Sequence, residues 1–112
     1  MAQQANQALP NGHALEEYVI DHQLSLGGFS IVYLAKGVDG RQVAIKEYLP
    51  NSLALRTDGQ VMPVISAEHL GAFRYGMKCF FEEGRALARL SHPNVIRVLN
   101  FFRANETVYM VM

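Results

Sequence analysis

Two side chains carry charge where the surrounding pattern calls for apolar residues: Lys46 and Glu83. Lys46 closes the run Val43-Ala44-Ile45-Lys46, whose composition is that of a buried strand. An ammonium is seldom fully buried unless it is paired, because losing its hydration is costly. Strand alternation puts Gln42, Ala44, Lys46 and Tyr48 on one face and Val43, Ile45 and Leu49 on the other. Ala44 is the smallest side chain beside the lysine and leaves room for a flat, anionic group. The ordinary alternative is a lysine whose stem lies along a sheet edge with its head in water.

Glu83 falls in line with Phe80 and Leu87, on or beside the apolar stripe of a helix, whereas Glu82 lies with Lys78 and Arg85 on the solvated side. An acid on the stripe needs a partner, and Lys46 is the natural one. A glutamate at the stripe's rim with its carboxylate in water is the alternative. The run "LSLGGFSIVY" adds a glycine turn. Backbone amides at a tight turn poor in side chains approach phosphate oxygens closely, although hairpins use adjacent glycines routinely.

The elements that hold these residues are legible from period and turn chemistry. Residues 1–14, rich in Gln, Asn and Ala, read as a flexible arm, and 15–112 as one domain. "EYVIDHQL", "IVYLAKG" and "QVAIKEYL" form an antiparallel meander, the last two joined by the Asp39-Gly40 turn. Asp58-Gly59, between "LALRT" and "QVMPVI", predicts a small extra hairpin, with Pro63 confining its second strand to an edge. A helix follows from about Ser66 to Leu90, with Leu70, Phe73, Met77, Phe80, Phe81, Leu87 and Leu90 at helical spacing. Gly71, Gly76 and Gly84 each weaken it by roughly 1 kcal/mol relative to alanine, which leaves its first half free to fray or move. Two last strands, "VIRVLNFF" and "TVYMVM", flank a turn at Ala104-Asn105-Glu106.

Composition narrows the function. The formal net charge of the 112 residues is zero, which gives no support to a nucleic-acid surface. Cys79 is alone, so no disulfide framework or cysteine-built metal cluster is expected. The first residues lack the pattern of a secretory signal, and no apolar run is long enough for a membrane segment. A cytoplasmic setting is the expectation. His13, His22 and His69 are scattered and need no function.

Taken in order, the glycine hairpin, Val43-Ala44-Ile45-Lys46, a glutamate on the following helix, His92-Pro93-Asn94 and Tyr109-Met110-Val111-Met112 resemble the N-terminal lobe of a eukaryotic-type serine/threonine protein kinase. The likeness runs from about Tyr18 to Met112, and "IKEYLP" with the long segment after it looks most like bacterial members. The resemblance implies an α+β fold: a five-stranded antiparallel sheet, one long helix and the small extra hairpin. It implies ATP as the bound nucleotide, with Mg²⁺ in the complete kinase. Lys46 would hold the α- and β-phosphates and pair with Glu83, the two catalytic residues of this lobe. Leu24, Val32 and Ala44 would enclose the adenine, with Met112 as gatekeeper and Leu87 in the hydrophobic spine. The turn carrying Ser25, Gly27, Gly28, Phe29 and Ser30 would cover the phosphates. His92, Pro93 and Asn94 would anchor the helix.

Two departures stand out. Aligned on Val32, the pattern G-x-G-x-x-G-x-V falls on Ser25, Gly27 and Ser30, so only its middle glycine is kept. The connection from Lys46 to Glu83 is also long. The catalytic-loop base, its asparagine and the metal-binding aspartate of the family are not among these residues. On this reading the chain is the ATP-binding half of a kinase domain whose C-terminal lobe is absent, and the chain alone is inactive. The parent kinase would act on serine and threonine of protein substrates. The isolated lobe is expected to self-associate through Leu87, Met110, Met112 and the edge of the last strand. The alternative is the lobe of a pseudokinase, a binding module that keeps Lys46 and Glu83 for structure. Retention of Lys46, Glu83 and Val32 favours the first reading.

Overall fold

The turns do what their residue types require. Gly40 and Gly59 take positive φ in the two Asp-Gly turns, and Asn105 and Glu106, at φ 53° and 67°, form the last hairpin turn. The computed structural model describes residues 6–89 and 97–112. Its elements are β1 (Ala14–Leu15), β2 (Tyr18–Leu26), β3 (Ser30–Lys36), β4 (Gln42–Tyr48), β5 (Ala54–Leu55), β6 (Val64–Ile65), α1 (Leu70–Ala88), β7 (Asn100–Ala104) and β8 (Thr107–Val111). The order β1-β2-β3-β4-β8-β7 makes one antiparallel sheet, and β5 pairs with β6 apart from it.

The expected α+β architecture and extra hairpin are present, with corrections. The sheet has six strands rather than five, because β1 adds to its edge through Ala14↔Val19 and Leu15↔Tyr18. The described part of the presumed flexible arm is packed: Asn6 and Leu9 are buried, and the Leu9 amide donates to the Tyr33 hydroxyl at 3.0 Å. An amide-rich segment docks here because Asn6 bonds backbone groups of a distant loop, donating to Leu49 and Ala54 and accepting from Arg56. The anchoring turn His92-Pro93-Asn94 and the helix's last expected residue, Leu90, lie outside the described residues.

Each face of the sheet has its own cover. On one, α1 packs through aromatic contacts, Tyr48 against Phe73 and Phe80 at 5.1 and 5.7 Å, and Phe101 against Phe81 at 5.1 Å between ring centroids. Gly84 and Gly76 permit this approach. A Cβ on Gly84 would lie 1.9 Å from the Phe101 ring, and one on Gly76 would lie 2.1 Å from the Tyr48 hydroxyl oxygen. These two glycines are contact points rather than weak spots for movement; Gly71 faces open space. The other face buries Ile20, Ile31, Tyr33, Ala35, Val43, Ile45, Tyr109 and Val111 beneath Leu9, Leu49 and Ala54.

A charged cluster lies within that second core. Glu47, which alternation puts with Val43 and Ile45, is fully buried, as is Arg56 from the turn side of β5. The Glu47 carboxylate accepts from the Tyr33 hydroxyl at 2.8 Å, the Tyr109 hydroxyl at 2.5 Å and Arg56 Nη1 at 2.9 Å, while Arg56 Nη2 donates to its other oxygen. Arg56 Nε donates to the Gln7 carbonyl at 2.8 Å. Among the described residues every buried side-chain nitrogen and oxygen has a hydrogen-bond partner, as burial of charge requires.

Burial, with the Glu47 charge adding to it, holds the Tyr33 and Tyr109 hydroxyls far above the usual tyrosine range. In Arg56, burial acts against the charged form but the Glu47 hydrogen bond and charge outweigh it, so the guanidinium is held above its ordinary value. The tyrosines make the fold alkali-sensitive. Above a pH of about 10 the unfolded chain releases their protons while the folded chain keeps them, so stability falls as pH rises, by about 1.4 kcal/mol per pH unit for each tyrosine. Urea midpoints should therefore drop steeply above that pH, and less steeply in Tyr109→Phe. Parallel profiles would mean that the Tyr109 hydroxyl ionises freely in the folded chain.

Candidate active site

Three strands contribute one residue each to a row on the face covered by α1. Val32, Lys46 and Met110 are register partners across β3, β4 and β8. Lys46 is half-buried, and its Nζ lies 5.9 Å from the Phe80 ring centroid, a separation at which a ring face attracts a cation. One step along β4, Ala44 and Met112 exchange backbone hydrogen bonds of 3.1 and 2.8 Å. The half-buried side chains of Val32, Ala44 and Met112 thus share a face with the lysine. Leu24 sits where β2 is bulged between Gln23 and Ser25 and is 52% exposed.

The glycine turn rises beside this row. Ser25 pairs with Val32, the Gly27 amide donates to the Ser30 carbonyl at 2.8 Å, and the carbonyls of Gly28 and Phe29 accept from Asn51 and Leu49 at 2.9 Å each. The amides of Gly28 and Phe29 have no acceptor among the described residues, and a Cβ on Gly28 would meet nothing within 4 Å. The turn therefore presents two unengaged donors with open space around them, which suits an anionic oxygen.

Lys46 and Glu83 line one cavity of about 20 Å³ with Phe80, Gly84, Leu87 and Met110. The expected ion pair is not made in it. Ion pairs of the described residues include Arg41–Asp39 and Arg56–Glu47, and Lys46–Glu83 is not among them. Glu83 is exposed at the rim of the helical stripe, with its solvated neighbours Glu82, Arg85 and Arg89. The surface expected to drive self-association is corrected as well. Met110 is 7% exposed beneath Gly84, and β8 lies between β4 and β7, so it has no free edge.

Glu47 and Arg56 are what the sequence reading missed. Glu47 could have been found, since an acid at period two with Val43 and Ile45 needs a buried partner. Arg56 has no such signal. No group of three or more His, Cys, Asp or Glu side chains able to hold a metal ion occurs among the described residues, and no described helix is long and apolar enough to cross a membrane.

A half-buried lysine on the sheet face beneath a helix that carries an acid, beside a glycine turn whose Gly28 and Phe29 amides are unengaged among the described residues, is the arrangement of a protein-kinase N-terminal lobe. Comparison with known proteins agrees. The chain is 28% identical over 102 residues to the serine/threonine-protein kinase ATG1c of Arabidopsis thaliana, covering 90% of this chain and 11% of that protein. It is 30% identical over 102 residues to the serine/threonine-protein kinase PLK4 of Danio rerio, covering 90% and 9%. It superposes on the solved apo form of PpkA-294 with a TM-score of 0.85 and 42% identity, over 93% of this chain and 37% of that one. No protein-family model matches. The chain spans about a tenth of the length of the curated relatives. Its fold is that of a protein-kinase N-terminal lobe, and its sequence is similar to serine/threonine protein kinases.

Proposed function

We propose that this lobe binds ATP for a cytoplasmic kinase that transfers the γ-phosphate to serine and threonine hydroxyls of protein substrates. The observation that carries the reading is the row Val32–Lys46–Met110, which sets a half-buried lysine on one sheet face beside the Gly28 and Phe29 amides, unengaged among the described residues. Val32, Ala44 and Met112, with the exposed Leu24 of β2, enclose the adenine. Lys46 holds the α- and β-phosphates, and the amides of Gly28 and Phe29 meet phosphate oxygens. Glu83 reaches Lys46 across the shared cavity by side-chain rearrangement and fixes the ammonium in place. Mg²⁺ would supply neutralisation of phosphate charge, and the family's residues that would hold it are not among those of this chain.

Lys46→Met tests the assignment. In the kinase that contains this lobe, phosphotransfer should fall about a hundredfold or more, the scale for removing one group that stabilises transition-state charge. Amide spectra should show the lobe still folded. A folded Lys46→Met protein with parental activity would overturn the reading.

A further inference from the structure

Each residue of the site row is followed or preceded in sequence by a member of the buried charged cluster. Val32 adjoins Tyr33, Lys46 adjoins Glu47, and Met110 adjoins Tyr109. Alternation sends the first of each pair to the face covered by α1 and the second to the opposite core, where Glu47 gathers both tyrosine hydroxyls and both Nη atoms of Arg56. The cluster therefore ties β3, β4 and β8 together directly behind Lys46.

We propose that Arg56, acting through Glu47, is a positioning residue for Lys46. Stability alone is a poor account of such a cluster, because apolar side chains of similar volume often replace a buried ion pair without loss. What apolar replacements lack is direction. The planar guanidinium grips the carboxylate at two points, and the tyrosine hydroxyls hold its oxygens from neighbouring strands. A slip of β4 by one residue would carry Glu47 to the helix face and Lys46 into the core, so fixing one carboxylate fixes where the ammonium emerges. This gives the long segment between β4 and α1 a role, since it supplies the countercharge. The N-terminal segment completes the enclosure, with Gln7 accepting from Arg56 Nε and Asn6 from the Arg56 amide at 2.7 Å.

The proposal rests on the reading of Lys46 as the phosphate-holding group, and its test separates the two. The double variant Glu47→Leu/Arg56→Met makes the pair apolar while leaving both tyrosine hydroxyls a partner, Leu9 N–H for Tyr33 and Asn105 for Tyr109. In the kinase that contains this lobe, ADP affinity should fall roughly ten- to a hundredfold, the scale for a displaced functional group, with adenosine affinity unchanged. In the chain described here, exchange of the Val32, Lys46 and Met110 amides should accelerate while that of Ile20 and Ala35 does not. Arg56→Lys, which keeps the charge but loses the fork, should fall between. A folded double variant with the parental ADP-to-adenosine ratio and parental exchange along the row overturns the proposal, as does an equal loss for both ligands. If Lys46→Met leaves the ADP-to-adenosine ratio untouched, the phosphate reading is what fails, and exchange along the row then decides the positioning role by itself.

Discussion

Arg56→Met alone should lower the stability of this lobe by about 3–5 kcal/mol, because it strands a buried carboxylate without its countercharge. The effect is large for a reason visible in the geometry. Neither Glu47 nor Arg56 exposes any side-chain surface, so water cannot replace the lost donors. Three other groups also lose a partner with the guanidinium: the Gln7 carbonyl, the Val61 carbonyl and the Tyr33 hydroxyl, the last two bonded at 3.2 Å. Only the Tyr33 and Tyr109 hydroxyls would still face the carboxylate. Urea denaturation measures the result, as a lower midpoint at unchanged slope. A loss below about 1 kcal/mol, the scale of an exposed ion pair, would mean that the cluster is open to water.

Gly84→Ala is the second substitution with a large expected effect, and its sign runs against helix propensity. In an exposed helix the change stabilises by about 1 kcal/mol. Here the new Cβ would sit 1.9 Å from the Phe101 ring and 3.2 Å from the Met110 sulfur. The ring has little freedom to retreat, since Phe80 and Phe81 pack against it at 6.1 and 5.1 Å. Overpacking of this kind costs about 1–3 kcal/mol, so the net change should be destabilising, with α1 displaced from the sheet. Gly71→Ala is the internal control. Nothing lies within 4 Å of its Cβ, and the propensity gain should appear undiminished. If both glycines gain stability on becoming alanine, α1 does not rest on the sheet at Gly84.

The same displacement bears on the site. Glu83 precedes Gly84, and both line the cavity that holds Lys46. A helix pushed outward lengthens the reach from Glu83 to the ammonium, so Gly84→Ala should weaken the pairing proposed for the active kinase as well as the fold.

What the sequence determined by itself is local. The period of two in Gln42–Leu49 decided that Lys46 emerges on the face opposite Val43 and Ile45. The Asp-Gly pairs decided the meander and the extra hairpin, because their conformation is a property of the turn residues themselves. The helical stripe decided that Phe73 and Phe80 meet the sheet and that Lys78, Arg85 and Arg89 do not. Tertiary structure decided which distant segment covers each face. Arg56 meets Glu47, and Asn6 meets Leu49, Ala54 and Arg56, through contacts that no periodicity encodes. It also decided that Gly76 and Gly84 are points of close approach, that β1 extends the sheet and that Met110 is covered. The physical reason is the range of the interactions. Backbone dihedrals and side-chain alternation are set within a few residues, whereas a buried charge or a missing Cβ acquires its meaning only from the remote chain that closes over it.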